Sequence, residues 1–325
     1  MEAPPRRAFV GVVALLALVS LGVAAEPPAE DGAGAWLAAL ADDADKAAAS
    51  APPKPSAEFT KPIPLSFRVD YTLASDKVWR GVNWTEYAGE GREKPNHFLG
   101  TGVELATPVG TFGAAFWFAW FAGQDRLTPG CDDHFHEADY VAYWRRAFQE
   151  IATTVELGWI AYTFPQITGD WHDTYEVYVK LSFDDSKLFG TKSPVLNPYI
   201  YYGLDIDMGD YGSWIELGIS HNFPLASFDA LKNVAFLKDL TITPSLGLAI
   251  EHRYMDKFAG PGQEATRLAY IQYGLAVAYD VGKAIGLPRR YGDLNVVGYL
   301  NFNDAMREDL LNDELYGGVK LVYSW

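Results

Sequence analysis

From Leu65 to Trp325 the sequence alternates apolar and polar residues with a period of two. Strand side chains point alternately to opposite faces, so such alternation marks strands with one apolar and one polar face. The pattern divides into about twelve segments: 65–76, 97–106, 111–121, 137–147, 151–164, 172–183, 195–207, 212–223, 239–254, 267–280, 292–302 and 313–325. In one of them Tyr175, Val177, Val179, Leu181 and Phe183 oppose Thr174, Glu176, Tyr178, Lys180 and Ser182. In another, Leu240, Ile242, Leu246, Leu248 and Ile250 oppose Thr241, Thr243, Ser245, Gly247 and Glu251. The segments at 111–121 and 151–164 are apolar on both faces and fit the pattern less well. No helical stretch of core-forming length separates the segments, which disfavours an α/β arrangement.

The apolar faces finish on aromatic residues. One set is Trp144, Phe183, Phe223, Tyr279, Tyr323 and Trp325; the other is Trp120, Trp159, Tyr202, Tyr254 and Phe302. Two such girdles suit a barrel whose strands cross a bilayer, with Trp and Tyr at both interfaces. The fold expected is therefore all-β, an up-and-down antiparallel transmembrane β-barrel of about twelve strands. A soluble β-sandwich shows the same alternation and stays open as an alternative. The connections 107–110 and 147–150 are short, whereas 77–96, 122–136 and 255–266 are long, as external loops should be. Three connections on the other side are also long. The one at 223–239 has Leu225, Phe228, Leu231 and Val234 at helical spacing, which suggests a small amphipathic helix.

The start of the chain is of another kind. Arg6 and Arg7 precede an apolar run from Phe9 to Val19, and Val23-Ala24-Ala25 offers a small-residue cleavage site. Residues 1–25 are read as a signal peptide for export. Residues 26–64 are rich in Ala and Pro and are read as a periplasmic extension or linker, and 65–325 as the barrel. The formal net charge of −16 argues against a nucleic-acid partner. The single cysteine, Cys131, permits no intrachain disulfide, so stability must come from the strand ladder.

Two stretches carry a resemblance. Leu315, Val319, Leu321, Tyr323 and Trp325 share one face of a strand that ends on Trp. This resembles the closing strand of bacterial outer-membrane β-barrels, and implies engagement of the barrel-assembly machinery through that strand. The segment Ser75-Asp76-Lys77-Val78-Trp79-Arg80-Gly81-Val82 resembles the opening S-D-Y-[VI]-[FW]-R-G-[VI] motif of the TorF-like porins, with Lys77 in place of an aromatic. That resemblance implies an outer-membrane location, lipid contact and a diffusion pore, and carries no catalytic residues.

Function is expected in the lumen. By strand parity the inward charges include Arg68, Asp70, Glu104, Asp139, Arg145, Glu156, Glu176, Lys180, Asp205, Asp207, Glu216, Glu251 and Lys320. Arg or Lys facing hydrocarbon at the midplane costs about 2–4 kcal/mol, which constrains this parity. The inward aromatics are Tyr143, Tyr178, Tyr199, Tyr201, Trp214, Tyr270, Tyr299 and Tyr316. These residues either form ion pairs and packing that rigidify a filled barrel or line a passage for small hydrophilic solutes, cations or sugars among them. A closed structural or adhesive barrel and a soluble periplasmic β-rich binding protein remain the alternatives. Asp132, His134 and His136 form the densest set of metal-ligand types, but no second ligand pair accompanies them at zinc-site spacing. No cofactor is expected. An enzyme is not expected either: no G-x-S-x-G occurs, and Ser220 and His221 fall on opposite faces.

Overall fold

A computed structural model describes residues 64–84, 95–121, 137–165, 173–207, 212–254, 266–307 and 311–325. The expected leader, the extension and the Asp132, His134 and His136 set lie outside the described residues.

Twelve long strands form a closed antiparallel barrel. In chain order they are β1 (Leu65–Ala74), β2 (Asn96–Thr107), β3 (Gly110–Phe121), β4 (Glu137–Phe148), β5 (Thr153–Thr163), β6 (Thr174–Phe183), β7 (Tyr199–Asp205), β8 (Ser213–Ser220), β9 (Leu240–His252), β10 (Thr266–Asp280), β11 (Asp293–Ala305) and β12 (Glu314–Ser324). Each strand pairs with its neighbours in sequence, β8 with β9 from Trp214↔Glu251 to Ser220↔Ser245 included. Closure is the pairing of β12 with β1, from Arg68↔Ser324 to Ala74↔Gly318. No edge strand of the barrel remains unpaired, which removes the exposed ladder that open sheets must protect. The two segments that are apolar on both faces are ordinary strands, β3 and β5; their inward positions are filled by Ala115, Trp117, Ala119, Ile160 and Tyr162.

Strand parity separates the two faces. In β1, Phe67, Val69, Tyr71 and Leu73 are exposed outward while Arg68, Asp70, Thr72 and Ala74 are buried inward. The outward band continues through Val103, Leu157, Val177, Ile200, Leu275 and Leu321. An apolar surface running round a whole barrel is far larger than the patches that soluble monomers expose.

The two ends differ. At one end, the turn end, β2 joins β3 and β4 joins β5 through short connections, while 184–198, 221–239 and 281–292 are longer. Thr107 Oγ1 donates to the Gly110 carbonyl at 2.6 Å, and Gln149–Ile151 form a single 3-10 turn. Aromatics ring this end and bond to turn carbonyls: Trp144 Nε1 to Val109 at 3.2 Å, Tyr323 hydroxyl to Tyr291 at 2.5 Å and Trp325 Nε1 to Arg290 at 3.0 Å. The connection between β8 and β9 is not the expected amphipathic helix. It holds two 3-10 turns, Leu225–Ser227 and Leu237–Asp239, around irregular turns. Phe228, extended at ψ 121°, ends the first turn, and Phe236, whose φ is 73°, precedes the second. Phe223 shares the outward face by register with Ile242 and Val277, but it is buried there, with its ring 4.2 Å from His221.

Candidate functional site: a hairpin seated in the lumen

At the turn end the wall charges match one another. Arg68, Glu104, Arg145, Glu156, Lys180, Glu216 and Lys320 each lie three or four positions from the turn end of their strands. From Arg68 to Glu216 their signs alternate in strand order, and Lys320 on the closing strand repeats the positive sign of Arg68. Arg145 donates to Glu104 at 3.1 and 3.2 Å and stands 3.9 Å from Glu156, while Arg68 stands 3.4 Å from Asp70. Tyrosines complete this belt in a repeated unit: Tyr143 donates to Glu104, Tyr178 to Glu156 at 2.9 Å and Tyr199 to Glu216. Each ring lies flat over a glycine of the adjacent strand, Gly113, Gly158 and Gly218 in turn, where a Cβ would overlap the ring. The rings thereby hug the wall instead of crossing the lumen. Across the barrel the inward positions are small or neutral: Ser245, Gly247, Gly274, Ala276 and Asn301. Ser182, Tyr199, Glu216, Asn295, Tyr299 and Lys320 are only half-buried, so the turn-end half of the lumen keeps accessible surface.

The loop end is built otherwise. After β1 the chain turns into the barrel and forms a hairpin from the two-residue strands Val78–Trp79 and Val82–Asn83. Arg80 and Gly81 form its tip with φ of 51° and 81°. Positive φ at both central residues is the type I′ geometry that suits tight hairpins. For Arg80 this left-handed conformation costs roughly 1–2 kcal/mol, which its contacts must offset. Lys77, Val78, Trp79, Arg80 and Asn83 are all buried.

The hairpin spans the lumen. Its base is tied to one wall, where the Ser75 amide donates to Gly317 at 2.8 Å and Asn83 Nδ2 to Glu314 at 3.2 Å. Lys77 pairs with Glu137 of β4 at 2.8 Å and lies 3.9 Å over the Trp117 ring. Arg80 reaches β6 and grips Glu176 with both arms of its guanidinium, at 2.7 and 2.9 Å. A planar fork on a carboxylate is the strongest and most directional ion pair available to side chains. Glu176 also accepts from the Tyr201 hydroxyl and, at 3.3 Å, from Tyr254. The guanidinium carbon sits 4.3 Å from the Tyr254 ring and 5.1 Å from Trp214, within cation–π range. Trp79 packs edge-on against Tyr162 at 5.4 Å. Gly81 has no room for a side chain: an added Cβ would stand 2.8 Å from the Tyr270 ring. A third loop cation, Arg307, bonds to Glu251 of β9.

The sequence-predicted inward residues Arg68, Asp70, Glu104, Asp139, Arg145, Glu156, Glu176, Tyr178, Lys180, Tyr201, Asp205 and Glu251 are buried inside the barrel, and Tyr199, Glu216 and Lys320 are half-buried there. Two expectations are corrected. Tyr254 is not an outward girdle residue; it lies one turn beyond β9, fully buried against Arg80 and Glu176. Asp207 does not line the lumen, because β7 ends at Asp205 and Asp207 is exposed in the loop, its amide donating to Asp205 at 3.0 Å. His221 Nδ1 donates to the Val195 carbonyl at 2.5 Å, a backbone contact. Lys77, Trp79, Arg80 and Arg307 are the residues that strand parity could not find, because they lie outside the barrel strands; Tyr162 shares the inward parity of Glu156 but sits in a segment apolar on both faces. The Trp79-Arg80-Gly81 motif was the available signal.

No protein-family model and no curated protein sequence matches the chain. Solved structures match it at low identity. An outer-membrane channel from Pseudomonas putida F1 aligns with 84% of this chain and 100% of its own, at 8% identity and a TM-score of 0.44. The NanC porin aligns with 80% of this chain and 98% of its own, at 12% identity and a TM-score of 0.39. The outer membrane phospholipase A from Escherichia coli aligns with 79% of this chain and 92% of its own, at 11% identity and a TM-score of 0.38.

Proposed function

We propose that this chain is a bacterial outer-membrane channel for small hydrophilic solutes, closed at its external mouth by the seated hairpin. In this reading the loop end faces outward and the turn end faces the periplasm. Export by residues 1–25, a periplasmic extension at 26–64 and insertion by the barrel-assembly machinery through 315–325 belong to the same proposal, and no catalytic step does. The continuous outward apolar band supports membrane placement, since burying such a surface in lipid removes it from water.

One observation carries the channel reading. Near the turn end the wall charges are paired among barrel strands, as in Arg145 with Glu104. At the loop end Glu137, Glu176 and Glu251 are each paired with a cation from a connecting segment. A barrel filled only for rigidity has no need of an inserted hairpin; a seal borne on a connection can leave without disturbing the ladder. The hairpin in place also favours the second reading, a closed structural barrel. Planar-bilayer recording separates the two. The channel reading expects discrete current steps from the folded full chain, more frequent when Arg80 is replaced by alanine. A barrel that passes no current in either form, at any salt concentration or voltage, is the structural one.

A further inference from the structure

Apart from the Trp79 ring, 4.9 Å from its guanidinium, the place that Arg80 occupies is assembled from the barrel and the residues just after β9. Glu176 supplies both carboxylate oxygens, and Tyr201 and Tyr254 donate to those oxygens and hold the carboxylate in one orientation. Trp214 and Tyr254 supply the aromatic faces. Trp214 is fully buried, and its indole N–H has no hydrogen-bond partner among the described residues. Together these groups recognise a planar, delocalised cation: two parallel acceptors for a fork, and ring faces that attract charge.

We infer that this place is a binding site for a solute bearing a guanidinium group, and that Arg80 is its built-in occupant. The inference rests on the channel reading, because the solute must enter from the external mouth as the hairpin withdraws. Arg80 stands on a short tether and competes as a ligand at high effective concentration, on the order of millimolar. A free solute therefore meets a site open for only a fraction of the time, and its apparent affinity falls by that fraction. The second acid–cation contact of the hairpin, Lys77 with Glu137, adds to the competition without touching the Glu176 site. A solute that takes the Arg80 place leaves the hairpin without its strongest anchor, so occupancy and opening are coupled.

The test is calorimetric titration of agmatine, which carries a guanidinium, into the purified full chain in detergent. Putrescine, which has ammonium groups but no fork, is the comparator. Removal of the occupant in Arg80→Ala should raise agmatine affinity about tenfold or more over the unaltered chain. Putrescine should bind the same variant more weakly, and the double variant Arg80→Ala/Glu176→Gln should lose the agmatine gain. Heat-dependent gel mobility reports whether each variant is a folded barrel. If Arg80→Ala does not fold, replacing residues 78–83 with a Gly/Ser linker vacates the same site. Equal agmatine binding with and without Glu176, or equal binding of agmatine and putrescine, overturns the inference. Current recorded on the same variants keeps the two readings apart. Glu176-dependent binding without current in any variant upholds the site and sinks the channel. Current without Glu176-dependent binding does the reverse.

Discussion

Glu176 holds three other side chains at once: the Arg80 guanidinium, the Tyr201 hydroxyl and the Tyr254 hydroxyl. Removing one partner of a buried ion pair leaves the other charge uncompensated, a loss of about 3–5 kcal/mol when the survivor stays buried. Arg80 need not stay buried, because it sits on a hairpin outside the ladder. Glu176→Gln should therefore unseat the hairpin and spare the barrel. Limited trypsin digestion reads this directly, since Arg80 is nearly inaccessible in the seated form. Cleavage after Arg80 should accelerate at least several-fold, with heat-dependent gel mobility unchanged; an unaltered cleavage rate would show that Glu176 does not hold the hairpin. Gly81→Val should act in the same direction, because its side chain meets Tyr270 and its φ of 81° disfavours a β-branched residue. At this scale the sequence was only half legible. The parity of β6 marked Glu176 as inward, but nothing in a period of two says that Arg80, almost a hundred positions earlier, returns to meet it.

At the scale of elements, the turn-end belt and the loop-end hairpin have different energetic roles. The belt belongs to the strands. Arg145→Ala strips a cation from between Glu104 and Glu156, and should lower barrel stability by roughly 3–5 kcal/mol in a urea unfolding titration in lipid vesicles. The pair change Glu104→Gln/Arg145→Met should recover most of that loss; no recovery would mean the belt does not act through paired charge. Strand existence and inward parity were readable because each strand repeats one simple rule many times. Tyr254 escaped that rule because β9 ends at His252, and the next residue, Arg253, takes a φ of 59° that redirects the chain inward. The connection at 223–239 escaped it because helical spacing of four apolar residues does not keep Phe228 helical; it is extended, and Phe236 takes a positive φ. The Gly–Tyr–Glu units were also hidden, since each draws residues from different strands and is visible only in the register.

Across the whole molecule the fold rests on two continuous surfaces, an apolar band outside and a polar wall inside. Leu275 lies on the outward face near the middle of β10. Leu275→Arg should cost about 2–4 kcal/mol in folding into lipid vesicles. The same substitution in a soluble barrel would be nearly neutral, so a negligible cost argues against membrane embedding. In the proposed channel, with the barrel closed through β12 and β1, the hairpin sets whether the lumen is open. Single-channel recording of the full chain against a variant with residues 78–83 replaced by a Gly/Ser linker tests it most directly. The variant should conduct several-fold more than the unaltered chain at the same voltage and salt; equal conductance in the two, or none in either, would show that the hairpin does not close a channel.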